Sequence, residues 1–130
     1  MVFVFGSNLK GSHAAGTALY ARRFFGAKMG VGEGLAGRSY AIPVRENPTT
    51  LLPLYIIRQH VDRFYDYAIA HPAKQFRVTR IGVTVSGYSD EQMAQMFANP
   101  PANCTFDPRW KVFGLPSWPK KPAHGTLPDR

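Results

Sequence analysis

The residues best placed to do chemistry in this sequence are small and uncharged. Gly6-Ser7-Asn8, Gly11-Ser12-His13 and Gly16 follow a short apolar run, Val2 to Phe5, and lead into a helix-like segment opening at Ala14 and Ala15. A strand, a small-residue loop and a helix start leave main-chain N–H groups uncovered at the positive end of a helix, which attracts phosphate or carboxylate without a charged side chain. A second loop of this kind, Gly82-Val83-Thr84-Val85-Ser86-Gly87-Tyr88, stands late in the chain. The two are expected to form the halves of one anion-binding cleft, and a third loop, Pro43 to Thr50, leaves the same strand ends and is expected to add Pro43 and Arg45 to the ligand site.

Such a cleft needs elements that bring distant loops together. Val2 to Phe5 is nearly unbroken in apolar character, as in a strand covered on both faces. Ala14, Ala18, Ala21 and Phe25, joined by Leu19 and Phe24, give a helical face over about 14 to 27, and Gly26 stands where it would stop. Gly26 to Gly37 is too rich in glycine for regular structure. Its Gly32-Glu33-Gly34-Leu35-Ala36-Gly37 matches G-x-G-x-x-G but follows a helix instead of a strand, so it is not taken as a dinucleotide fingerprint. Ser39 to Val44 predicts a strand stopped by Pro43.

Leu54, Ile57, Val61, Phe64 and Ala68 repeat at helical spacing, with Thr49 or Thr50 as cap and His71-Pro72 as the end. His60 and His71 are expected at the surface or at a helix end. Gln75 to Val83 alternates as a strand, Ser89 to Gln92 has the form of a capping box before Met93, Met96 and Phe97, and Asn103 to Phe106 suits a last short strand. Alternation of this order predicts an α/β layered fold with a largely parallel central sheet flanked by helices and ligands beyond the C-terminal strand ends.

A chain of 130 residues fits one domain, and no apolar run approaches the roughly 18 residues of a membrane span. With no signal-peptide pattern at the N-terminus, a cytoplasmic location without membrane partners is expected. The lone Cys104 suits a small buried residue, and no Cys/His spacing suggests a metal; no cofactor is expected. A net charge of +8 favours an anionic partner, although its cations are spread without a long basic block. From Asp107 the composition shifts to Pro, Trp and Lys, which marks 107–130 as a C-terminal extension whose Trp110 and Trp118 would dock on the domain or on a second copy of the chain.

Phe5-Gly6-Ser7-Asn8-Leu9 with Gly11, His13 and Gly16, then Phe25-Gly26-Ala27, Gly34-Leu35, Gly37, Ser39-Tyr40-Ala41-Ile42-Pro43, and later Phe76, Val78-Thr79, Ile81-Gly82, Gly87 and Met96-Phe97 appear in order. This series resembles a group of small bacterial and phage proteins with a minimal macrodomain-like fold, and it covers about residues 1–106. The resemblance implies binding of ADP-ribose or a related nucleotide derivative. Asn8 would then bond a ribose hydroxyl, the amides of 84–88 would hold phosphates, and Tyr88 or Phe5 would flank a ring. Where similar proteins carry Gly-Cys-Gly in the late loop, this chain has Gly82-Val83-Thr84. The Lys and Asp of the ester-hydrolysing members are matched by Arg45 and Ser86. A guanidinium stays charged and cannot act as an amine nucleophile, and a lone hydroxyl does not replace a carboxylate, so efficient catalysis by that route is not expected.

The leading expectation is therefore a binder of an ADP-ribose-like phosphorylated nucleotide. The alternative is an ADP-ribosyl or nucleotide-phosphate hydrolase, with His13, Asp90 and Glu33 as candidate groups and Arg45 as a transition-state clamp. A nucleic-acid or protein-interaction module, suggested by the charge and the C-terminal extension, is the second alternative.

Overall fold

A computed structural model of the chain describes residues 1–84 and 86–119. In chain order the elements are β1 (Val2–Asn8), α1 (Gly16–Phe24), β2 (Gly34–Ala36), β3 (Ser39–Asn47), β4 (Thr50–Leu51), α2 (Leu54–Ala70), β5 (Phe76–Val78), α3 (Asp90–Met96), β6 (Cys104–Phe106) and a 3-10 helix (Pro108–Phe113). They form an α/β fold around one six-stranded sheet in the order β2-β3-β1-β5-β6, with β4 on β3. The sheet is mixed, which corrects the largely parallel one expected. β3, β1, β5 and β6 run parallel, but β2 and β4 both pair antiparallel to β3.

Pro43 does not end β3. It falls between the last β2 pair, Gly34 with Ala41, and the first β4 pair, Arg45 with Leu51, so the missing N–H stands in a gap between two partners. The cap expected from Thr49 or Thr50 is also absent: Thr50 belongs to β4, and Pro53 takes the N-cap of α2 without a side-chain bond. The capping box of α3 is present in full, with Ser89 accepting from the Gln92 N–H and Gln92 accepting from the Ser89 N–H.

Alternation along β1 and β3 divides the core. Val2, Val4, Tyr40, Ile42 and Val44 face a large cluster made with α2, α3 and Phe106, whereas Phe5 and Ala41 face Ala21 of α1 and Ala27 just beyond that helix. Alanine on this second face lets α1 lie close to the sheet. Trp110, fully buried, and Leu115 belong to the large cluster, so the start of the C-terminal extension packs into the domain's own core. Lys120, Lys121 and the last prolines lie outside the described residues. Cys104 is buried on β6.

Candidate functional site

Helices α1 and α3 leave neighbouring parallel strands, β1 and β5, for opposite faces of the sheet. The chain therefore diverges at the C-terminal ends of β1 and β5, which is where open α/β sheets form ligand crevices. A cleft of about 560 Å³ lies there. Its walls are the end of β1 and the start of α1, the end of β3 with the following turn, and, after β5, Thr79 to Thr84 with Ser86. Asn8, Arg45 and Ser86 line this one space, as do Ser7 and Thr84.

The first wall is a pinned loop. The Asn8 side chain closes it, donating from Nδ2 to the Ser12 carbonyl at 3.1 Å and accepting the Ser12 N–H at Oδ1 at 3.2 Å. Behind it lies the glycine-rich segment before β2. The Ser7 hydroxyl donates to the Gly32 carbonyl, and His13 Nε2 meets the Val31 carbonyl at 3.0 Å. A carbonyl only accepts, so Nε2 carries the proton of that bond. Gly11 has φ +70 and lies so close to this segment that a Cβ would stand 2.7 Å from the Val31 nitrogen. With the loop fixed, α1 begins at Gly16, φ +58, after an N-cap alanine that has no capping side chain. The N–H groups of Gly16, Thr17 and Ala18 have no acceptor among the described residues, and these residues line the cleft.

The second wall carries charge. Arg80 binds Asp90 through two hydrogen bonds, Nε to Oδ1 at 2.7 Å and Nη2 to Oδ2 at 2.6 Å, while Trp110 Nε1 donates to the same Oδ1 at 2.7 Å. The Arg80 bond, helped by the indole donor, holds the Asp90 carboxyl below the ordinary aspartate range despite some burial, and it raises Arg80 in turn. A core tryptophan thus fixes the aspartate that fixes a cleft arginine. Opposite, Arg45 Nη2 donates to Thr84 Oγ1 at 3.2 Å and has no carboxylate partner among the described residues. No carboxylate lines the cleft among the described residues.

Of the expected site residues, Gly6, Ser7, Asn8, Gly16, Arg45, Gly82, Thr84 and Ser86 line the cleft. Gly11, His13, Pro43, Gly87 and Tyr88 do not. Gly11, His13 and Pro43 are buried behind the wall, and His13 Nδ1 has no partner among the described residues. The Gly87 and Tyr88 N–H groups bond the Thr84 and Gly82 carbonyls, so these two amides close a turn. The Tyr88 hydroxyl bonds the Leu52 carbonyl at 2.8 Å, and Phe5 is fully buried, so neither ring flanks the cleft. Asn8 latches its own loop where a ribose contact was expected.

Nor do the other candidate acids stand on the wall. Glu33 bonds His60 at 2.8 Å and Arg63 at 3.1 Å. Burial alone would raise its carboxyl, but the bonds from Arg63 and His60 and their charge hold it below the ordinary glutamate range. His60, expected at the surface, is buried in that cluster. His71 does sit at the end of α2, with its ring against the Tyr67 carbonyl. Sequence reasoning missed Arg80, which falls in the run Gln75 to Val83 read as a strand although β5 ends at Val78, and also Ser12, Thr17 and Thr79. Ser12 and Thr17 flank His13 and Gly16 of the first loop, a signal that was at hand.

No family model matches the chain, and neither does any curated protein or solved structure. What the cleft can do follows from its own geometry. Uncapped amides, hydroxyls and two guanidinium groups around an open space are donors for an anion with several oxygens.

Proposed function

We propose that the protein binds a phosphorylated nucleotide derivative of the ADP-ribose kind in this cleft, on a minimal macrodomain-like fold. One observation carries the proposal: the uncapped start of α1 opens into the same space as Arg45, which has no carboxylate partner among the described residues, and Arg80, whose partner Asp90 lies off the cleft wall. Helix start and guanidinium groups favour the same ligand charge, and both sit at a strand-end crevice suited to a small molecule. The hydrolytic alternative has less support, because His13, Glu33 and Asp90 are all absent from the cleft wall.

Calorimetric titration with ADP-ribose, paired with thermal melting, is the direct test. At ligand near 100 times its dissociation constant the folded state should gain about 2.7 kcal/mol. A melting temperature unmoved by ADP-ribose, NAD and ATP sinks the proposal.

A further inference from the structure

Resting on that nucleotide cleft, a further inference concerns which part of the guest it recognises. Proteins read bases with aromatic rings or free guanidinium planes that stack on them, or with amides, carboxylates and arginines that bond their edges. Here Arg45 is held at Thr84 and Arg80 at Asp90. Among the described residues no aromatic side chain and no carboxylate lines the cleft. Its carboxamide, Asn8, has both its oxygen and its nitrogen engaged by Ser12.

The donors are concentrated elsewhere. Arg45 lies on β3 and Arg80 just beyond β5, the strands on either side of β1. Both arginines line the one cleft. The open amides of Gly16, Thr17 and Ala18 follow from β1 between them. Arg45, the Arg80 donors that Asp90 leaves open and three main-chain amides are more donors than one phosphate needs, and suit two. We infer that the cleft reads the phosphates of its ligand and not the base, which makes the ligand class a nucleoside or sugar diphosphate bound with little regard to base identity.

Titration of the full chain with ADP, GDP, CDP and UDP, with AMP and UMP, and with inorganic pyrophosphate as competitor tests this. The four diphosphates should agree within about threefold, the monophosphates should bind at least about tenfold more weakly, and pyrophosphate should displace ADP. Arg45→Gln should weaken all four diphosphates by a common factor, since the exposed end of its side chain leaves the core untouched. A preference above about tenfold for one base, equal binding of AMP and ADP, or binding of ADP-ribose alone overturns this inference and leaves the nucleotide cleft standing. Failure of every nucleotide and of ADP-ribose to bind overturns both.

Discussion

The loop after β1 and the segment after β5 line the same space, yet they are held by different kinds of contact. The first is pinned by contacts onto main chain: the Asn8 side chain bonds the Ser12 backbone, Gly11 abuts Gly30, and the His13 ring meets the Val31 carbonyl. What it presents is backbone, the N–H groups at the start of α1. The second presents side chains, and its charged one is set from the core through Trp110 and Asp90. Substitutions on the first wall should therefore act through conformation, and on the second through charge.

The most severe test of this contrast is Trp110→Ala. Removing a fully buried indole should cost about 3–5 kcal/mol in denaturant unfolding and release Arg80. Trp110→Phe keeps most of the volume but removes the Nε1 donor, so it should cost about 1–3 kcal/mol and still weaken diphosphate binding. If binding is unchanged in folded Trp110→Phe, the indole does not set Arg80. On the other wall, Gly11→Ala should cost about 1–3 kcal/mol from the positive φ and the close approach to Gly30, measured by chemical denaturation. Asn8→Ala removes both bonds to Ser12 and should cost about 1–2 kcal/mol, with binding loss from a loosened loop that salt does little to alter.

Acid sharpens the contrast further. Asp90 and Asp107 are held below the ordinary aspartate range, chiefly by their hydrogen bonds to Arg80 and Arg109. A carboxyl depressed in the folded state contributes stability that is present above its unfolded value, about 3.9, and is lost as pH falls through the lower folded value. Asp90→Asn should thus flatten the acid limb of a stability profile below about pH 4. The smallest effect on stability belongs to Arg45→Gln, within about 0.5 kcal/mol of the parent, because no buried partner depends on it. Its effect on binding should shrink as salt rises. A salt-independent loss would mean that Arg45 acts through shape.

Much of this architecture is legible in residues whose signals are local. The capping box at Ser89, the alternating run into Val78 and the helical face from Leu54 to Ala68 each depend on neighbours within a few positions. The short edge strands β2 and β4 are not, because Gly34–Ala36 and Thr50–Leu51 take strand form only by pairing with β3. Their antiparallel direction makes the sheet mixed. At the site, the small-residue loops stand out in the sequence, but their division of labour does not. That Asn8 is a latch depends on loop geometry, and that Arg80 is a cleft cation depends on Asp90 and Trp110, whose positions only the folded chain brings together. His60 was misplaced for the same reason, since its partner Glu33 stands three strands earlier in the chain.

Cys104 offers a consequence of a different sort. It is the one cysteine of the chain, it is buried on β6, and burial pushes its thiol up to about 12, so at neutral pH almost no reactive thiolate exists in the native protein. An alkylating reagent reaches that sulfur only when β6 opens. The rate of modification is then a clock for opening at the sheet edge beside Trp110, obtained without introducing a probe.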